Sequence, residues 1–178
     1  MKRIETKKIA LASLLCALSV VISVIGCIFD MVDLTACTAA SVLVALSDNE
    51  LGGKYPYLVY AVTGMLLFLF FPTTTVTLFL ILFFGYYPII KKFIEKLPKI
   101  PAFILKFAVF NCATVFSYYL MTYILLSAEV EEGKAILITA WIFANIFFVA
   151  YDLSLGIFMT AYRRYYRKKW GIDKFLLH

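Results

Sequence analysis

Residues 135–161 read AILITAWIFANIFFVAYDLSLGIFMTA, an apolar run whose sole charge is Asp152. A helix crossing a bilayer needs roughly 20 consecutive apolar residues, so this stretch is long enough to span once. Working back toward the N-terminus, runs of the same kind occupy residues 102–126, 75–90, 55–71, 34–47 and 9–29, each bounded by charges or turn residues. The chain therefore reads as an all-α, polytopic integral membrane protein: one transmembrane domain over 1–178, a bundle of six helices with a basic tail at 162–178. Composition agrees, since 63% of the 178 residues are hydrophobic and 16% charged, where soluble domains have about 45–50% and 25%. A large soluble domain is excluded. The run at 34–47 is the weakest, because at about 1.5 Å per residue it reaches only about 21 Å of a hydrocarbon core near 30 Å. It must extend through residues 48–51, tilt, or sit behind other helices; a count of five spans is the alternative.

Charge placement favours six. If the chain starts inside and crosses six times, the inner segments hold the basic residues of 1–8, Lys54, the five lysines from Lys91 to Lys106, and the tail cations beginning at Arg163, which is 16 of 17, with Lys134 alone outside. The outer loops carry Asp30, Asp33, Glu129, Glu131 and Glu132. The positive-inside rule then predicts both termini in the cytoplasm, with the chain a multi-pass protein of the cell membrane. Five spans would put the basic tail outside. The net charge of +6 falls in short blocks beside membrane segments, which predicts anionic lipid, not nucleic acid, as its partner. The tail sequence YRRYYRKKW at 162–170 has the aromatic and basic mix of an interfacial anchor. The segment KKFIEKLPKIP at 91–101 is expected to lie on the inner surface, with Pro98 and Pro101 ending any helix before the fifth span. Residues 24–27, VIGC, resemble a lipoprotein cleavage box, but the five apolar runs that follow without a polar tether read 9–29 as a retained first helix.

The inventory of reactive groups is short. His178 is the only histidine, so no His–carboxylate, Ser–His or Cys–His pair can be assembled in the membrane. There is no HExxH, no GxSxG and no phosphate-cradling GxxxxGKS or GxxxxGKT, which also excludes an ATPase on this chain. These absences predict no catalytic residues, no metal and no cofactor. Cys16, Cys27, Cys37 and Cys112 lack CxxC spacing and lie in apolar runs, where packing is their ordinary role. A Cys27–Cys37 bridge across the first outer hairpin is the sharper alternative.

Intramembrane polar residues are expensive and mark sites by default. In the first helix Ala12, Cys16, Ser19, Ser23, Gly26 and Asp30 recur at helical spacing and form one small face, while Ala10, Ser13 and Ala17 form a second. Small faces admit a second backbone. Helix 2 offers matching pairs such as Ala36/Ala40 and Ser41/Ala45 for one face, leaving the other for a different partner, with intramolecular packing alone as the alternative. In the fifth helix Asn111, Thr114, Tyr118 and Thr122 share a face; in the sixth Trp141, Asn145, Phe148 and Asp152 do. Chain direction puts Tyr118, Thr122, Trp141 and Asn145 in the outer half, where a small polar ligand fits beneath Asp30 and Asp33. Plain interhelical hydrogen bonding is the alternative. Asp152 and Lys106 fall in the inner half and are expected to form a buried ion pair, with a proton or cation relay as the second reading.

Six short helices, a basic start running into KKIALASLLCALSVVISV, an acidic first outer loop and a polar outer cavity from helices 5 and 6 resemble the substrate-binding S component of energy-coupling factor transporters. The resemblance spans nearly the whole chain. That family carries an AxxxA-type small motif on helix 1 for its coupling subunit; the positions here are Ala12–Cys16 or Ser13–Ala17, where Cys and Ser preserve the small size. The resemblance implies a protein that captures a vitamin or similar micronutrient from outside. It would deliver it with a transmembrane coupling subunit and two separate ATPase subunits. It assigns substrate contacts to Asp30, Asp33, Tyr118, Thr122, Trp141 and Asn145, and the partner interface to Ala12, Ser13, Cys16 and Ala17. Metal-specific members use an N-terminal segment with histidine, and residues 1–8 have none. A non-catalytic scaffold or assembly subunit of a bacterial envelope complex is the alternative function.

Overall fold

The structure is a computed structural model that describes residues 2–120, 122 and 134–166. Its helices are α1 (Lys2–Ile28), α2 (Asp33–Glu50), α3 (Tyr55–Phe70), α4 (Thr75–Phe79), α5 (Tyr87–Ile94), α6 (Lys99–Tyr119) and α7 (Lys134–Ala161). A turn of 3-10 helix (Asp30–Val32) leads into α2, one π turn (Leu80–Phe84) joins α4 to α5, and another (Tyr162–Tyr166) follows α7. Since α4, its π turn and α5 run on as one rod over Thr75–Ile94, the described residues form six rods in an all-α bundle. Four are long and apolar enough to cross a membrane: Glu5–Ile28, Thr75–Ile94, Lys99–Tyr119 and Leu137–Tyr165. Their outward faces are apolar. Leu14, Leu18, Val21 and Ile25 stand exposed at helical spacing on α1, as do Ile142, Ile146, Leu153 and Ile157 on α7. A soluble surface does not carry such continuous apolar faces, so the surrounding medium is lipid.

The weakest apolar run becomes the middle of the bundle. Helix α2 extends to Glu50 and packs against α1, α3, α5 and α7, so most of its small residues meet protein, not lipid. Ala36, Cys37, Ala40, Ser41 and Ala45 are all buried. Against them lies the first small face of α1, with Ala12, Ser19, Ser23 and Gly26 buried as well. Contact there is close: a Cβ on Gly26 would stand 2.5 Å from the Cβ of Ala36. Cys16 and Cys27 reach Thr63 and Thr74 at 3.6 and 3.3 Å, while Cys37 reaches the Val76 carbonyl. Cys27 and Cys37 are both free thiols, so the hairpin carries no bridge.

Phe83 sits at the centre of an aromatic core with Phe84, Tyr87, Phe110, Phe148 and Tyr151. The π turn aims Phe83 and Phe84 there, and Tyr60 donates to the Ile81 carbonyl at 2.9 Å within that turn. Gly85 is required beside it, since a Cβ would fall 2.3 Å from the Tyr60 ring.

Two boundaries differ from the sequence expectation. The rod expected to end at residue 90 continues to Ile94, so Lys91 is a buried residue of α5 instead of a surface lysine. Pro101 does not terminate anything; α6 starts at Lys99 and holds Pro101 in its first turn, where a missing N–H goes unnoticed. The basic residues gather at one end: Lys92 pairs with Asp48 at 3.1 Å, and Arg163 donates to Asn49 at 2.6 Å, tying the ends of α5 and α7 to the end of α2.

Candidate functional site

Tyr87, Lys91 and Glu95 follow one another at intervals of four, on one face of α5 and the residue that ends it. Opposite that face stands Asp152 of α7. Its carboxylate accepts from Tyr87 at 2.7 Å, from Lys91 at 2.6 Å and from Lys106 of α6 at 2.9 Å. Lys91 also donates to the Asp152 backbone carbonyl, and Gly156 lies beside the ammonium one turn on. Glu95 completes the group from the outside, 3.2 Å from Lys106 and 3.7 Å from Lys91, and is 52% exposed. Two ammoniums and two carboxylates neutralise one another, which is how charges are tolerated at membrane depth. Three rods meet at this cluster, and its contacts lead from Asp152 to Glu95 within one end of the bundle. Beside it a cleft of about 560 Å³ opens between α5, α6 and α7.

The second polar group lies further along α6 and α7, away from the lysine-rich end. Asn111 donates to Asn145 at 3.0 Å, and Trp141 donates to Asn111 at 2.7 Å. This is a second polar seam between the two helices, beside the Lys106–Asp152 pair and the stacking of Phe110 on Phe148. Trp141 and Asn145 line an outward-facing groove of about 470 Å³ whose other walls are Phe107, Ile142, Ile146 and Val149. Thr114 and Ser117 bond carbonyls of their own helix, at Phe110 and Ala113. Tyr118 is exposed and Thr122 half-buried, and neither lines that groove. Asp33 occupies the first turn of α2 and does not line the groove; Asp30 belongs to the short turn before it, and its side chain lies outside the described residues. The structure thus joins Trp141 and Asn145 through Asn111, and does not bring Asp33, Tyr118 or Thr122 into that groove.

On α1 the two small faces have different fates. Ala12 is buried and Cys16 half-buried, whereas Ala10, Ser13 and Ala17 are exposed. Ser13 and Ala17 border a groove of about 600 Å³ between α1 and α3, walled by Val20, Val21, Leu58 and Val62. Tyr87 and Lys91 were missed as partners of Asp152, and Glu95 as the second carboxylate on the lysines, because each looks ordinary alone; the signal was their spacing of four beside a turn proline, Pro88. Among the described residues no group of three or more His, Cys, Asp and Glu side chains is placed to hold a metal ion. The chain matches no family model, no curated protein and no solved structure.

Proposed function

We propose that this chain is the membrane-embedded substrate-binding subunit of an importer of the energy-coupling factor type. It takes up a vitamin or related micronutrient and works with a coupling subunit and separate ATPases in a bacterial plasma membrane. The observation that carries this reading is the divided α1: one small face packs into the bundle against α2 and α3, while Ser13 and Ala17 stand open beside a groove. A face of small residues left open in lipid suits the close approach of a second transmembrane helix. The Trp141–Asn111–Asn145 seam supports a role in ligand capture, since its amides can exchange partners with a polar ligand. The missing nucleotide motif fits a subunit energised by others.

The scaffold reading is favoured by one fact: Asn111, Asn145 and Trp141 already satisfy one another. Two measurements separate the readings. An importer subunit brings down a coupling subunit and ATPases on affinity purification, and its unfolding temperature rises with one member of a vitamin panel, because a ligand that binds the native state stabilises it by mass action. Envelope-synthesis proteins in the pull-down, with no ligand shift across the panel, would establish the scaffold instead.

A further inference from the structure

The cleft between α5, α6 and α7 is built like a lipid site. Its polar end holds Lys91, Lys106 and Arg164 against Glu95 and Asp152, three cations to two anions, so one positive charge is left over. Lys91 and Lys106 are committed to Asp152, whereas Arg164 makes no hydrogen bond or ion pair with another described residue. Glu95 is the detachable member: it reaches both lysines from an exposed position and can be displaced by a stronger anion. The other wall of the cleft is apolar. Leu153 and Ile157 lie on the same side of α7 as Arg164, and are 60% and 70% exposed. From Arg164 to Leu153 the helix rises about 16 Å at about 1.5 Å per residue, which matches the roughly 15 Å of hydrocarbon in one leaflet. A cation at the mouth and an apolar wall one leaflet deep have the dimensions of a phospholipid, and basic pockets between helices are where anionic headgroups lodge.

We propose that this cleft binds an anionic phospholipid, its phosphodiester held by Arg164 and Lys106 and an acyl chain laid along Ile157 and Leu153. A monoanionic headgroup closes the surplus charge. The site rests only on the bundle sitting in lipid, so it stands or falls separately from the importer reading. Its structural consequence is that the lipid bridges α6 and α7 at the mouth of the cleft, adding to the Lys106–Asp152 pair there.

The full chain is purified and placed in lipid discs of phosphatidylcholine, with or without phosphatidylglycerol. Retained lipid is measured by native mass spectrometry and stability by thermal unfolding. The expected result is one tightly retained phosphatidylglycerol per chain and a higher unfolding temperature in the mixed discs. Arg164→Gln should weaken retention about fivefold, the size expected for one basic contact to an anionic membrane surface. Lys54→Gln, an exposed cation at the same end of the bundle and outside the cleft, should leave retention unchanged. Ile157→Trp, which fills the apolar wall without altering charge, should lower it too. The proposal is overturned if no phosphatidylglycerol is retained, or if Lys54→Gln weakens retention as much as Arg164→Gln, which would mean diffuse surface attraction. Inorganic phosphate stabilising the protein equally in phosphatidylcholine discs would overturn it as well, by making the occupant a soluble anion.

Discussion

Asp152 is the residue on which three rods depend, and its energetics are asymmetric. Its carboxylate carries bonds from Tyr87, Lys91 and Lys106, so removing its charge leaves two ammoniums sharing one exposed glutamate. Breaking a buried pair by deleting one partner costs about 3–5 kcal/mol; because the Asp152 side chain is 17% exposed and Glu95 remains, Asp152→Asn should cost about 2–3 kcal/mol, toward or below the low end of that range. Lys91→Met should destabilise more than Lys106→Met, since Lys91 is the more buried, sits closer to the carboxylate and also bonds the Asp152 carbonyl. Adding Lys91→Met to Asp152→Asn should restore part of the loss, because the pair then leaves no orphaned charge. Thermal and denaturant unfolding of the four variants beside the unsubstituted chain checks this. Equal stability of Asp152→Asn and the unsubstituted chain would show the cluster to be structurally idle.

At the scale of the helix, small residues decide which rods touch. A methyl on Gly26 meets the Cβ of Ala36 at 2.5 Å, and both atoms are fixed to helical backbone, so neither can swing aside. Gly26→Ala should therefore separate α1 from α2 and lower stability by about 1–3 kcal/mol, the usual cost of overpacking. Ala17→Leu, on the open face of the same helix, should leave the unfolding temperature of the isolated chain unchanged while abolishing co-purification of any partner seated there. The contrast between two substitutions on one helix separates a packing face from a docking face. Helix α2 shows why element boundaries were only partly legible. Its run of apolar residues looked too short for lipid, and of the three ways out, extension and burial behind neighbours are those the structure adopts. The end of α5 was misread for a different reason: Lys91 looks like the edge of a span, and the carboxylate that neutralises it lies 61 residues away in sequence.

For the molecule as a whole, the described ends of α2, α5 and α7 lie together, joined by Lys92–Asp48 and Arg163–Asn49. The Lys106–Asp152 pair was legible because a lone intramembrane charge demands a partner. The aromatic core around Phe83 was not, since phenylalanine is equally at home facing lipid, and only tertiary contact tells which rings are buried. Orientation is the property on which the importer, scaffold and lipid readings all draw, and the two short rods are its weak points. Helices α2 and α3 have 18 and 16 residues, which at about 1.5 Å each reach about 27 and 24 Å against a core near 30 Å. Mismatch of a few ångströms is met by local thinning at a fraction of a kcal/mol per ångström, so both rods should cross. Single cysteines at Lys54, Thr73 and Lys96, in a chain whose four native cysteines are replaced by serine or alanine, test this directly, because all three positions are exposed. A membrane-impermeant maleimide added to intact cells should label Thr73→Cys at once, and Lys54→Cys and Lys96→Cys only after permeabilisation. If Lys54→Cys labelled together with Thr73→Cys, α3 would be a re-entrant segment and the six-span thread would break there. A full reversal would put the lysine-rich end outside and remove the anionic cytoplasmic leaflet as the source of its lipid.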